Sequence, residues 1–526
     1  MTRDRLRVAA VQFATGGDLD ENLATCLRML DQAVDAGAEL VVFPEFANHI
    51  SVYESAEHSR AVAVDLEGAW IGALAERVRS HGVHVVVTVT VPRKNDRITV
   101  TNVLIGPDGT IVATADKNTL MGNERAYLSG AGGANDVAET DFGVIGLYSC
   151  MDGVTFETPR GLAVRGARLL TNSLNSFAID EASLHIPVRA VENGVFIVAA
   201  NKVGALLPPD LVDNFSNALG VPANALNGAG ESQIVAPDGT VIAKGPRTGE
   251  AVVVADLDLS QADTAPLAHR RPEIYKPLAS PETKNPRADV PDTVAVACAP
   301  GAGDPSVAVD AVNRRASLVV LPDLTDVPDV IPPGVHVVTT AQVDGGREGH
   351  LWTNEGLVHR QRQLHHTSGT SGPGALDDHL AVVTTPFGDL AVIVGQDHAY
   401  PEVFRLAAIQ GAHIVAVVWQ PTRAVDTDLL LVERAAENRL CLAACAGPGQ
   451  LGGTMVLNPP LDSLWSPDRE RPYDGTINTP EIVRAAPTDQ LLEASVYPPR
   501  SLSREISRDT DLVGGRSWEA SSVLVG

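Results

Sequence analysis

Apolar and polar residues alternate along the first half of the chain in blocks that predict strands and helices in turn. Short apolar runs at residues 6–13 and 38–46 are typical of buried strands, whereas residues 21–37 carry apolar side chains at helical spacing and end at Gly37. Predicted helices and strands continue to alternate up to about residue 204. This order predicts an α/β domain with parallel crossover connections.

Two segments, residues 101–117 and 230–245, instead have the pattern of a strand, a Pro-Asp-Gly turn and a second strand. Such a turn between two apolar runs is a strong signal for an antiparallel hairpin. The sheets of this half are therefore expected to mix parallel and antiparallel strands.

The pattern repeats after residues 279–292, which are rich in proline and charge and have the character of a linker. The block FGVIGLYSCMDGVTFE at residues 142–157 returns as FGDLAVIVGQDHAYPE at residues 387–402, and RAVENGVFIVAANKVG returns as RAAENRLCLAACAGPG at the same offset of 245. Two unrelated α/β domains would not repeat two blocks in one order at one offset. We predict a tandem duplication, with domains 1–280 and 281–526.

Composition narrows the function classes. The 526 residues carry a net charge of −25 with a pI near 4.9, which disfavours nucleic acid and anionic membrane surfaces as partners. The five cysteines include no CxxC pair, so neither a disulfide framework nor a zinc site is expected. No signal peptide or membrane-spanning run is predicted, and we expect a cytoplasmic protein without a metal or cofactor.

Three chemically capable residues follow predicted strands. Cys150 stands where a strand ends and a helix begins, Glu45 ends the apolar run VVFPEF, and Lys117 ends another strand. Each has an ordinary alternative: an isolated cysteine is more often a small buried hydrophobe, and a single charge is more often a surface group or a helix cap. Because strand ends converge in α/β folds, however, all three can meet.

In this order the residues resemble the nitrilase, or carbon–nitrogen hydrolase, superfamily over residues 6 to 278. The likeness rests on FPE at the glutamate, DKNTL at the lysine, SCMDGVTFETPRGLAVRGARLL at the cysteine and RRPEIY at residues 270–275. It implies a four-layer αββα sandwich and a catalytic triad of Glu45, Lys117 and Cys150. Family members commonly pair through a helical face, so the two halves are expected to form an internal pseudo-dimer, with further homo-oligomerisation left open.

The resemblance also implies a reaction. The expected enzyme is an amidohydrolase that cleaves a non-peptide C–N bond of a small amide or carbamoyl compound through a cysteine thioester and releases ammonia or an amine. The sequence Met151-Asp152-Gly153 after the cysteine resembles amidases more than nitrilases, and many members carry a second glutamate, which Glu124 matches. Glu124, Met151 and Asp152 are therefore predicted to bind substrate. Nitrile hydrolysis, acyl or amido transfer and a non-catalytic scaffold remain alternatives.

The second half keeps the pattern and changes the chemical residues. Gly395 stands at the position of the nucleophile, Asp323 at that of Glu45, and Arg362 or Gln363 near that of the lysine. A glycine has no nucleophilic side chain. The second half is therefore predicted to be a structural partner without a nucleophile.

Overall fold

The alternating pattern of the first half forms alternating strands and helices. The computed structural model describes residues 3–301, 304–314, 316–322, 330–343, 346–366, 376–447, 449–462, 464 and 471–526. The elements of the first half are β1 (Arg5–Gln12), α1 (Leu19–Asp35), β2 (Leu40–Val42), α2 (Ala56–Ala61), α3 (Ala69–His81), β3 (His84–Pro92), β4 (Ile98–Ile105), β5 (Ile111–Asp116), α4 (Glu124–Tyr127), β6 (Ala138–Thr140), β7 (Gly143–Ser149), α5 (Met151–Val154), α6 (Glu157–Val164), β8 (Leu169–Ser173), α7 (Ile186–Asn193), β9 (Phe196–Ala200), β10 (Val203–Ala205), α8 (Pro209–Leu219), β11 (Asn227–Ala229), β12 (Gln233–Val235), β13 (Val241–Lys244) and β14 (Ala251–Asp258).

The second half repeats this series with fewer helices among its described residues. Its elements are β15 (Val294–Cys298), α9 (Pro305–Asn313), β16 (Leu318–Val320), β17 (His336–Val343), β18 (Gly346–Thr353), β19 (Gly356–Arg362), β20 (Val382–Thr385), β21 (Gly388–Val394), α10 (Pro401–Ile409), β22 (Ile414–Trp419), α11 (Leu431–Asn438), β23 (Cys441–Ala446), β24 (Met455–Asn458), β25 (Glu481–Arg484), β26 (Leu492–Val496), β27 (Glu505–Ser507) and β28 (Thr510–Asp511).

Each half contains two six-stranded mixed sheets, and the strand order is the same in both halves. The first half has the orders β14-β1-β2-β3-β4-β5 and β13-β12-β9-β8-β7-β6, and the second has β26-β15-β16-β17-β18-β19 and β25-β24-β23-β22-β21-β20. The two predicted Pro-Asp-Gly hairpins are β4–β5 and β12–β13. The repeated order confirms the predicted tandem α/β fold, while the exact division at residue 280 stays a prediction.

The layers follow from which face of each sheet is apolar. In the first half, α1 and α3 cover one sheet, α6 and α7 cover the other, and a third apolar cluster that includes Val8, Val42 and Leu147 lies between the sheets. Strands buried on both faces are nearly continuous apolar runs, which is why β3 and β4 carry so few charges. The result is the predicted four-layer αββα sandwich.

The two halves meet through α6 and α7 on one side and α10 and α11 on the other. One apolar cluster spans the contact and includes Val188 and Val191 of the first half with Val403 and Leu431 of the second. Because this face is apolar on both sides, burying it stabilises the joined halves through the hydrophobic effect.

Buried ion pairs across this contact come in reciprocal sets. Arg160 Nε lies 3.1 Å from Glu402 Oε1, and Arg405 Nε lies 3.1 Å from Glu157 Oε1. Each residue of the second pair stands 245 positions from its counterpart in the first. The halves are therefore related by an approximate two-fold axis, as in a self-complementary dimer interface.

The described residues include no helix that is both long enough and apolar enough to cross a membrane.

Candidate active site

The predicted triad residues each follow a strand and converge at one end of the first half. Glu45 follows β2, Lys117 follows β5 directly and Cys150 follows β7 directly. Lys117 Nζ lies 2.9 Å from Glu45 Oε1 and donates hydrogen bonds to both carboxylate oxygens of Glu124, at 3.0 and 2.9 Å. The structure thus brings together the lysine and two carboxylates, with Glu124 at the start of α4.

Burial sets the electrostatics of this group. It raises the pKa of Glu45 to about 7, against the opposing charge of Lys117. Burial lowers the pKa of Lys117, but the carboxylates of Glu124 and Glu45 outweigh it and raise that pKa well above its usual value. Burial and the charge of Glu45 raise the pKa of Cys150, with Lys117 opposing. Above pH 7 the resting state is therefore a thiol near the Glu45 carboxylate and the Lys117 ammonium.

Cys150 stands on a strained turn between β7 and α5. Its φ is 48°, a left-handed value that is uncommon for a residue with a side chain. Its backbone N–H donates hydrogen bonds to Ser173 O at 3.0 Å and to Asn172 Oδ1 at 2.9 Å, and both acceptors lie at the end of β8. Phe46, next to Glu45, also has a positive φ of 55°. Strain that neighbouring hydrogen bonds maintain is typical of functional sites, where it fixes the direction of a side chain.

Asp152 faces the loop that carries the lysine. Its carboxylate accepts hydrogen bonds from the backbone N–H of Thr119 at 2.7 Å and of Asn118 at 3.1 Å. Burial raises its pKa to about 6, while these N–H donors favour the ionised form. Asp152 therefore ties the turn of the cysteine to the loop after Lys117.

Neither Met151 nor Asp152 is among the residues that line the cavity at Cys150. Met151 is buried beneath the wall and contacts an apolar cluster that includes Leu219 and Leu226. Their predicted role in binding substrate stays a prediction, and their placement favours a positioning role. Glu124, in contrast, does line the cavity.

The cavity at Cys150 has a volume of about 370 Å³, within the usual range for small-molecule sites. Cys150 itself is 6% exposed. Most of the lining residues are apolar or aromatic, among them three of α8 together with Tyr53 and Phe177, while Ser51 and Asn175 add polar atoms. The arrangement presents the thiol to a small cavity, with Glu45 and Lys117 buried behind its wall, and is suited to nucleophilic attack on an uncharged carbon centre.

Sequence reasoning missed several residues of this site. Lys202, after β9, is buried, and its ammonium lies 5.8 Å from the centre of the Phe46 ring. Leu464 and Ser507 of the second half also line the cavity, and Thr510 accepts a hydrogen bond from the N–H of Gly122 at 3.0 Å. The only signal for α8 is its apolar spacing at Leu211, Phe215 and Leu219; the contribution of the second half leaves no local signal in sequence.

The corresponding turn of the second half has a similar backbone conformation but no nucleophilic side chain. Gly395 follows β21 with a φ of 63°, and a Cβ at this position would lie 2.7 Å from Gln363 Oε1. Gln363 follows β19 as Lys117 follows β5, and Asp397 accepts from the N–H of Leu364 and His365 as Asp152 does from its own loop. Of the two alternatives for the lysine position, this favours Gln363. Asp323 lies outside the described residues.

Several known proteins are similar to part of this chain. The crystal structure of the C. elegans NitFhit protein is similar with a TM-score of 0.45 and 23% identity over 52% of this chain and 67% of that chain. A nitrilase of Pyrococcus abyssi is 27% identical over 241 residues, which cover 46% of this chain and 84% of the relative. A deaminated glutathione amidase of Mus musculus is 25% identical over 52% of this chain and 86% of the relative. The carbon-nitrogen hydrolase family model matches residues 7–266, and through these residues the chain belongs to the nitrilase, or carbon–nitrogen hydrolase, superfamily.

Proposed function

We propose that the chain is an amidohydrolase that cleaves the C–N bond of a small amide through a thioester on Cys150. One observation carries the proposal: Glu45, Lys117 and Glu124 are joined by contacts of 2.9–3.0 Å beside the cavity that the thiol of Cys150 lines. Charges of Glu45 and Lys117 both act on this thiol. Membership of a hydrolase superfamily supports the reaction class.

The residues divide the reaction between them. Glu45 accepts the thiol proton as Sγ attacks the carbonyl carbon, and the adjacent Lys117 ammonium stabilises the oxyanion that forms. The C–N bond then breaks, and the leaving amine takes the proton from Glu45. In the second stage Glu45 accepts a proton from water, which attacks the thioester and releases a carboxylic acid and the free thiol.

An amide is favoured over a nitrile by a polar atom of the cavity. Asn175 Oδ1 is buried and accepts no hydrogen bond from the part of the chain that the structure describes. An amide can donate an N–H to this oxygen, whereas a nitrile has no such donor. Nitrile hydrolysis is kept as the second candidate because several relatives, including that of Pyrococcus abyssi, are named nitrilases.

The test is ammonia release by the full chain over a panel of small amides, carbamoyl compounds and nitriles. We expect amides to be hydrolysed, Cys150→Ala to abolish turnover, and Glu45→Gln to lower turnover by several orders of magnitude, because both stages need its carboxylate. Cys445→Ala, in β23 of the second half, is the matched control and should retain turnover. Turnover by Cys150→Ala would exclude the mechanism, and release from nitriles alone would favour the second candidate.

The pH profile tests the base separately. Because the pKa of Glu45 is about 7, its ionised form is lost as the pH falls through 7. We expect kcat/KM for the best amide to decrease about tenfold per pH unit below that value and to level off above it. A flat profile between pH 5.5 and 8 would show that Glu45 is not the base.

A further inference from the structure

The cavity at Cys150 has an apolar wall that the reaction itself does not require. Tyr53, Phe177, Leu207, Leu211 and Phe215 lie along it. Hydrolysis of a C–N bond needs the thiol, the base and the cation, and a polar pocket would serve these equally well. The apolar wall therefore indicates which chemical group the substrate carries beside the bond that is cleaved.

A large part of this wall belongs to a segment that is much longer in the catalytic half than in the second half. Residues 201–232 join β9 to β12 and contain α8, whereas residues 447–454 make the corresponding connection between β23 and β24. Along α8, Leu211, Phe215 and Leu219 recur every four residues and face the cavity. The opposite face of α8 is exposed and polar, with Asp213 and Asn217 among its residues. The helix is thus an amphipathic cover over the nucleophile.

The wall of the cavity also carries very few ionisable side chains. Glu124 is the sole carboxylic acid among the described residues that line the cavity. None of these residues is a lysine, arginine or histidine. Both oxygens of Glu124 already accept from Lys117. A substrate with a carboxylate at its far end would meet no cation in this wall, and burying that charge unpaired is costly.

We propose that this cavity binds an uncharged apolar acyl group, so that the substrates are amides of medium-chain aliphatic or arylalkyl carboxylic acids. The inference rests on the proposed function and assigns the bulk of the substrate to the acyl side. An amide that releases ammonia has its apolar mass on that side, and the acyl group stays in the cavity as the thioester on Cys150. Water then cleaves the thioester, which yields the fatty or arylalkyl acid.

The first experiment compares kcat/KM for acetamide, butyramide and hexanamide with the full chain. Each buried methylene should raise kcat/KM about fourfold until the cavity is filled. Adipamic acid, which resembles hexanamide with a terminal carboxylate, should be at least tenfold poorer than hexanamide. Equal rates along the series, or a preference for adipamic acid, would overturn the inference and leave the amidase reaction intact. A preference for N-hexylacetamide over hexanamide would overturn the assignment to the acyl side.

The second experiment tests α8 directly. Phe215→Ser should reduce the ratio of kcat/KM for hexanamide over acetamide about tenfold, because a polar side chain replaces an aromatic one in the wall. Asn217→Ser, on the exposed face of the same helix, is the matched control and should leave the ratio unchanged. An unchanged ratio in Phe215→Ser would contradict the role of the helix.

Binding to Cys150→Ala separates the two proposals. Calorimetry should show tighter binding of hexanamide than of acetamide to this variant, even though it cannot form the thioester. If the unmodified protein hydrolyses no amide while Cys150→Ala still binds hexanamide preferentially, the proposed function fails and the apolar site stands. If Cys150→Ala binds the two amides equally, the apolar site fails whatever the activity.

Discussion

At the scale of single residues, Lys202 is a buried charged group near the site to which the proposed reaction assigns no role. Its ammonium is buried and donates no hydrogen bond within the described residues. Burial lowers its pKa from 10.5 to about 7, although the charge of Glu45 opposes the change. An isolated ammonium inside a protein is costly, so Lys202 is mostly neutral above neutral pH and a source of instability below it.

We predict that Lys202→Met stabilises the protein in acid and not in base. Between pH 7 and 10.5 the unfolded chain binds a proton at this residue that the native chain does not, so native stability rises with pH in this window. Below pH 7 the full cost of the buried charge remains. Removing the charge should raise the free energy of unfolding by roughly 3–5 kcal/mol at pH 6, with the gain vanishing near pH 10.

The measurement is urea unfolding of both proteins from pH 6 to pH 10. Lys94→Met, at an exposed position, is the control and should change the free energy of unfolding little at any pH. A gain that stays constant with pH would mean that packing and not charge is the cause.

The residues of the site were predictable where a strand end fixes their position. Glu45, Lys117 and Cys150 were singled out because each follows a buried run at a strand end, and the resemblance to the carbon–nitrogen hydrolases joined them into a predicted triad. The direction of Asp152 was not predictable, because its carboxylate is oriented by the N–H groups of Asn118 and Thr119 on a distant loop. Lys202 also follows a buried strand, but the sequence analysis did not single it out.

At the scale of elements, the short helix α5 after the nucleophile is fixed by a neighbouring helix. Arg189 of α7 donates from Nε to Gly153 O at 2.8 Å and from Nη2 to Val154 O at 3.0 Å. The same guanidinium forms ion pairs with Glu192 of its own helix and with Glu437 of α11 in the second half. The second half therefore balances the charge of the arginine that holds the turn of Cys150.

Arg434 is the counterpart of Arg189 in the second half. It forms ion pairs with the same carboxylates, Glu192 and Glu437, but its Nε has no hydrogen-bond partner within the described part of the chain. The two arginines thus share one buried network, and only one of them holds the carbonyl groups next to a nucleophile.

We predict that Arg189→Lys lowers kcat at least tenfold with little change in KM, while Arg434→Lys leaves kcat near its original value. A lysine cannot reproduce the planar fork that contacts carbonyl and carboxylate groups together. Both variants should lower the thermal unfolding temperature by similar amounts, because both weaken the same ion pairs. Equal losses of kcat in the two variants would show that the network acts only through stability.

The element pattern was predictable from sequence wherever periodicity is regular, and least so for α8. The hairpins β4–β5 and β12–β13 follow from their turns, and α1 and α3 from their apolar spacing. The sequence analysis did not predict α8, because prolines and glycines surround it and its apolar side chains face a cavity and not a sheet. The contribution of α8 to the cavity depends on its position between β9 and β12, which its own sequence does not reveal.

At the scale of the whole molecule, the second half completes the first as a second subunit would. The reciprocal ion pairs and the shared apolar cluster bury a face that a single αββα sandwich would expose. Counterparts lie 245 residues apart, so Glu402 and Glu437 occupy the positions of Glu157 and Glu192. A second copy of the first half would therefore offer the same partners to Arg160 and Arg189.

We predict that a fragment of residues 1–280 forms a homodimer with weaker activity than the full chain. Pairing would bury Val188 and Val191 again and would place Glu157 of one copy beside Arg160 of the other. Light scattering should give twice the fragment mass, and Glu157→Lys should disrupt the pairing by placing like charges together. Activity should fall because Leu464 and Ser507 no longer close the cavity. A soluble monomeric fragment with full activity would show that the second half contributes neither to the fold nor to the site.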